Sequence, residues 1–162
     1  MTNGRGPRIP AQRTHAGGCV TLIDLRVVVC PGLSVTVPAC LRYHSADPYA
    51  VHLDIHINLD APVQWTFARE LLATGLNEWA GTGEVSVYPG RDRGATVVLI
   101  ALSGDESTVV LRAPAARVRS FVARTEHIVP SGHEHAHLDL EGMLSRLRVC
   151  GPAETENPDA SP

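Results

Sequence analysis

The stretch LRYHSADPYAVHLDIHINLDAPVQWTFARELL, Leu41–Leu72, holds a strand, a tight connection, a short aromatic strand and the opening of a helix. From Val51 the apolar residues fall on alternate positions, Val51, Leu53, Ile55, Ile57 and Leu59, with His52, Asp54, His56 and Asn58 between them. Period-two alternation describes a strand with one face in a core and one face wet. Such a strand needs neighbours, so the segment implies a sheet built around it. Asp47-Pro48 opens the turn into the strand, and Asp60-Ala61-Pro62 connects it to the next. There Val63, Trp65 and Phe67 alternate inward before a helix begins near Ala68. Leu71, Leu72 and Leu76 supply that helix with an apolar side, and Gly75 is its expected stop.

Upstream, Cys19–Val29 places Thr21, Ile23, Leu25, Val27 and Val29 on one face. Pro31-Gly32 turns the chain into a short strand, Leu33–Val37, which Pro38 ends or marks as an edge. Downstream, Val85 and Val87 lie in a strand that Pro89-Gly90 should end, followed by a polar, mobile loop from Gly90 to Gly94. Ala95–Leu102 is a continuous apolar run, as in a strand buried on both faces. Gly104-Asp105 signals a hairpin to Ser107–Leu111. Pro114 suits the first turn of a helix carrying Val118, Phe121, Val122 and Ile128, which Pro130-Ser131-Gly132 breaks. Leu140, Met143, Leu144 and Leu147 mark a last amphipathic helix, with Asp139 as N-cap. The order is strands, helix, strands, helices: an α+β chain of antiparallel sheets, each followed by helix. Residues 19–149 read as one domain, 1–18 as a flexible extension and 150–162 as a disordered tail.

A chain of 162 residues can close a core without staples, and 4% aromatic residues means a core of Val, Leu, Ile and Ala. The net charge of −3 supplies no overall drive towards nucleic acid or anionic membrane. No apolar run reaches the length of a membrane span, so no membrane insertion is expected. Arg5, Arg8 and Arg13 precede no apolar segment of the secretory kind. Cys19, Cys30, Cys40 and Cys150 contain no C-x-x-C pair, and reduced thiols in a cytoplasm are the expectation.

Candidates for chemistry are few. His133, His135 and His137 alternate in GHEHAH, and in an extended segment they would stand on one side about 6.6 Å apart. Yet H-x-H-x-H matches no zinc spacing, so a polar connection between helices is the preferred reading and no cofactor is expected. His52, Asp54 and His56 share a strand face, but the two His stand about 13 Å apart, too far for one ion. A subunit-facing or solvated surface explains them better, and under a subunit these His would make assembly pH-sensitive. There is no G-x-S-x-G and no phosphate loop, so catalysis is not expected. Arg91, Arg93, Arg117, Arg119 and Arg124 could meet phosphates, but Tyr43, Tyr49 and Tyr88 are the only aromatic platforms in view.

Several blocks carry a resemblance. They are LRY-x-x-x-DPYAV (Leu41–Val51), VQWTFARELLATGL (Val63–Leu76), GTGEVSVYP (Gly81–Pro89), IALS (Ile100–Ser103), APAARVRSFVART (Ala113–Thr125) and VPSGHEHAHLDL (Val129–Leu140). In this order and spacing the chain resembles the SsgA-like proteins of sporulating actinomycetes. The resemblance implies a non-enzymatic regulator of sporulation-specific cell division. Members help place septa or mature the spore wall, in one case by recruiting the tubulin-like division protein FtsZ. It also implies a fold like that of the whirly and guide-RNA-binding proteins, and a cytoplasmic homotrimer acting at division septa. Expected partners are further copies of the chain, FtsZ or another SsgA-like protein. Single-stranded nucleic acid binding is the alternative. Gly132, between two helices, permits φ > 0 and close backbone approach, and with His135 and His137 is the expected partner surface. His52, Asp54 and His56 are the expected subunit interface.

Overall fold

The alternating segments pair into a single sheet. In the computed structural model, which describes residues 17–57 and 60–149, the strands are β1 (Gly18–Cys30), β2 (Leu33–His44), β3 (Ala50–Ile55), β4 (Val63–Ala68), β5 (Val85–Asp92), β6 (Ala95–Ser103) and β7 (Thr108–Pro114). All neighbours are antiparallel, in the order β4-β3-β2-β1-β7-β6-β5. The expected separate sheets are therefore one. The join is narrow: β1 and β7 pair at Arg26↔Arg112 and Val27↔Leu111. Residues 1–16 of the extension expected at 1–18, the tail at 150–162, Asn58 and Leu59 lie outside the described residues, and Gly18 already opens β1.

The α+β class stands: the helices are α1 (Arg69–Gly75), α2 (Ala115–Ile128) and α3 (Leu140–Val149), of which α1 and α2 pack on the sheet. Ile23, Leu25, Leu41, Val51, Leu53, Phe67, Ile100 and Leu111 line one face of the sheet and are buried. Helix α2 closes that core with Val118 and Phe121, and α1 with Leu72. Of the apolar run Ala95–Leu102, Val97–Leu102 is buried or half-buried on both faces as expected, whereas Ala95 and Thr96, next to the hairpin turn, are exposed.

Several boundaries differ, each for a backbone reason. Strand β2 runs through Pro38 because the β2–β3 ladder begins only at Ala39↔Ile55, so the N–H that Pro38 lacks falls just past the end of that ladder. The same proline shortens β3. His56 donates to Pro38 O (2.9 Å), Pro38 has no N–H to return, and the ladder stops, leaving Ile57 exposed. Strand β5 passes through Pro89 and Gly90 because it is an edge. The expected mobile loop is a two-residue hairpin turn, Arg93-Gly94, with φ of 49° and 84° as a type I′ turn requires. Val63 is exposed and Trp65 half-buried, so β4 leaves the core towards its start.

Gly75 ends α1 without a positive φ. It is needed for space: a Cβ there would stand 2.3 Å from Val87 Cγ1 on β5. Gly75→Ala should therefore lower stability by about 1–2 kcal/mol in urea unfolding, overpacking outweighing the gain in helix propensity. An unchanged or higher midpoint would show that α1 does not sit this close to β5.

Candidate functional site

Arg69 stands between Ala68 and Leu71 at the start of α1, on the same side as Leu72, and is buried. Burying a guanidinium requires partners for its donors. Nη1 donates to the carbonyls of Val129 (2.6 Å) and Thr125 (3.3 Å) and to Tyr43 Oη (3.4 Å). Nη2 donates to Glu134 Oε1, and the guanidinium lies 5.3 Å from the centre of the Tyr43 ring. Two of these acceptors are carbonyls at the C-terminal end of α2, where a cation is favoured. Tyr43 is itself buried and donates to Pro48 O (3.0 Å), and burial pushes its hydroxyl pKa up. Glu134 accepts the Gly132 N–H at 2.7 Å. The Glu134 backbone N–H, Arg69 and the Gly132 N–H hold the Glu134 carboxyl below the usual carboxylate range. Glu126 completes the frame by accepting Ser131 N–H (2.9 Å) and Ser131 Oγ–H (2.6 Å). The turn from Pro130 to Glu134 is thus fixed from both sides. Beside it lies a hollow of about 310 Å³ lined by Tyr49, Glu70, Glu126, Gly132 and Glu134.

Gly132 adopts the expected positive φ, 86°, and no atom lies within 4 Å of a Cβ built on it. It is exposed on the rim of the hollow. His135 and His137 are also exposed, but on a 3-10 turn, Glu134–His137, rather than in extended chain. Residues two apart on such a turn point in different directions, which removes the one-sided spacing of an extended triad. Among the described residues no group of three or more metal-ligating side chains comes together.

The face expected to be wet on β3 is partly closed. Asp54 is buried and gripped at both oxygens by Arg42, Nε to Oδ2 at 2.6 Å and Nη2 to Oδ1 at 3.0 Å. Arg42 lies opposite His52 on β2, so this is a diagonal cross-strand pair. The Arg42 hydrogen bond holds the Asp54 carboxyl below its ordinary value. His52 Nδ1 shares a hydrogen bond with Thr66 Oγ1 (3.0 Å), and Nε2 stands 3.5 Å from Asp47. His56 is exposed beyond the end of β3.

Of the candidate phosphate contacts, Arg117 donates to Leu22 O (2.7 Å) and Arg124 to Thr21 Oγ1, holding α2 on β1. Tyr43 is unavailable for stacking. Tyr88 lies under Trp79, ring centres 4.3 Å apart, and Trp79 is exposed. Trp79 gives no signal in the sequence because it falls in an aperiodic segment. The buried role of Arg69 was also missed, although an arginine three residues before Leu72 on a helix's apolar side was its signal.

A family model described as "Streptomyces sporulation and cell division protein, SsgA" matches residues 37–134. That span contains Arg42, Tyr43, Asp54, Arg69, Gly132 and Glu134. The chain belongs to the SsgA family. The Sporulation-specific cell division protein SsgB of Streptomyces coelicolor is 50% identical over 125 residues, covering 77% of this chain and 91% of the relative. SsgB of Kineococcus radiotolerans is 41% identical over 87% of this chain and 84% of its own length. Two solved structures share the fold. One, reported with the finding that mutations in SsgB correlate to longitudinal cell division during sporulation of Streptomyces coelicolor, has a TM-score of 0.72 at 47% identity, covering 77% of this chain and 99% of its own. The other, an SsgA-like sporulation-specific cell division protein from Thermobifida fusca, has a TM-score of 0.73 at 32% identity, covering 83% and 99%.

In this SsgA-family protein, the Arg42–Asp54 pair gives stability a defined acid limb. With its folded pKa lowered, Asp54 contributes fully above its ordinary value of 3.8, and the contribution drains away as pH falls below that. Asp54→Asn should lower stability at neutral pH and flatten the loss below about pH 4, read by urea unfolding across pH. Parallel pH profiles for the two proteins would rule out the pair as the source.

Proposed function

We propose that this protein is a non-enzymatic adaptor of sporulation-specific cell division, acting through protein–protein contacts at septa in the cytoplasm. The observation that carries the reading is the 50% identity to an SsgB over 91% of that relative. Among the described residues no helix is long and apolar enough to cross a membrane. An adaptor needs contact surfaces, and the described residues expose apolar ones. On α3, Leu140, Met143, Leu144 and Leu147 recur at helical spacing, each between 53% and 70% exposed. The far end of the β1–β2 hairpin exposes Val29 and Val35. Apolar patches of this kind mark association sites.

The reading assigns these surfaces, with His52 and His56, to contacts between copies in a homotrimer built through its sheets, as in the whirly-like arrangement. Asp54 serves that interface from behind, by fixing Arg42. The rigid turn carrying Gly132, His135 and His137 is the surface for the division partner, FtsZ or another SsgA-like protein. Fixing a turn through Glu126 and Glu134 lowers the ordering cost of binding. Single-stranded nucleic acid binding has less support, since Arg117 and Arg124 are committed to β1.

A fluorescent fusion should form ladders at septa during sporulation, and light scattering should give three times the 17.3 kDa chain mass. A His135→Ala/His137→Ala variant should keep that mass and lose the ladders. Diffuse fluorescence of the unmodified chain, or a monomer at micromolar concentration, would contradict the reading.

A further inference from the structure

At the join of the two halves of the sheet, Arg26 of β1 lies directly opposite Arg112 of β7. Like charges facing across antiparallel strands repel, and this chain offsets them with one carboxylate. Asp92, at the end of β5, accepts from Arg26 Nη1 (3.0 Å) and Arg112 Nη1 (3.3 Å). Among the described residues Asp92 is the only hydrogen-bond partner of either side chain. Each guanidinium carries five N–H donors, so most remain unused. Arg93 follows immediately. It is exposed, makes no ion pair among the described residues, and holds a φ of 49° at a turn position that favours Asn or Gly.

These groups line a cleft of about 410 Å³ that adjoins a second of about 230 Å³ under the β1–β2 turn. Both hollows share Arg26, Asp92, Arg93 and Arg112. The pair follows β1 from Asp24 to Cys30, about 20 Å at strand rise, which is the length of an extended peptide of six residues. Aliphatic side chains flank the arginines, Val97 at one end and Val28 and Leu33 at the other. Three guanidiniums against Asp92 and Asp24 leave the cleft positive on a chain whose net charge is −3.

We propose that this cleft binds an extended acidic peptide segment of a protein partner, with an Asp or Glu carboxylate on Arg26, Arg93 and Arg112 and aliphatic residues on either side. Arginine matches a carboxylate with two parallel N–H bonds, and the length and apolar ends of the cleft suit a peptide backbone. Single-stranded nucleic acid fits less well, because the arginines are not interleaved with aromatic rings. The site adds a partner chemistry to the division reading, and the two fail separately: a binding titration reads the cleft, septal ladders read the role.

The test is fluorescence anisotropy of the full chain with a rhodamine-labelled decapeptide of alternating Val and Asp. Binding should saturate, weaken as salt rises from about 50 to about 300 mM, and be absent for the same peptide with Asn in place of Asp. Arg93→Gly removes a charge while easing the backbone at a positive φ, so it should fold as well as the parent and bind about fivefold more weakly. Arg112→Gln should bind about tenfold more weakly. Equal binding of the Asn peptide, an unchanged Kd for Arg93→Gly, or tighter binding of rhodamine-labelled oligothymidylate than of the acidic peptide would overturn the proposal.

Discussion

A buried guanidinium joins three parts of the chain that are distant in sequence. Arg69 enters the core at the start of α1 and finds its acceptors on Tyr43, on the end of α2 and on Glu134. An arginine can be buried only where its donors are satisfied, so its position dictates where the end of α2 and the following turn must lie. Glu134 and Glu126 then fix Pro130–Glu134 as a rigid exposed feature. The surface assigned to a partner is thus an outward consequence of an inward charge.

The same economy of charge recurs on the sheet. Arg42 takes Asp54 out of water on one half, and Asp92 bridges Arg26 and Arg112 where the halves meet. The first pair balances and is structural. The second leaves positive charge in excess beside an open cleft, and excess charge at a seam is what makes it a candidate for recognition.

Local regularities made much of the fold readable. The alternations in β1, β3 and β4, the apolar run of β6 and the stripe of α2 all reflect burial of one face or two. What local pattern could not supply was pairing order. Whether β1 meets β7 depends on contacts between residues such as Val27 and Leu111, far apart in the chain, so two sheets were expected where one exists. Pro89 was expected to end its strand and Pro38 to end one or mark an edge, yet both sit inside strands, Pro89 on the outer edge strand and Pro38 just past the end of the β2–β3 ladder, a fact of topology. The candidate site was half legible. Gly132 announced its positive φ through its place between helices, and the structure gives it one. The role of Arg69 depends on acceptors more than fifty residues away, and the closure of Asp54 on an arginine in a neighbouring strand.

The central claim is that Arg69 holds the end of α2 and the turn after it. Hydrogen–deuterium exchange on a folded Arg69→Met variant tests this most directly. Exchange should accelerate at Val129–Glu134 and in the last turn of α2, while the paired amides of β1, β2 and β6 keep their protection. Unchanged exchange in Val129–Glu134, or a uniform rise across the whole sheet, would contradict the account.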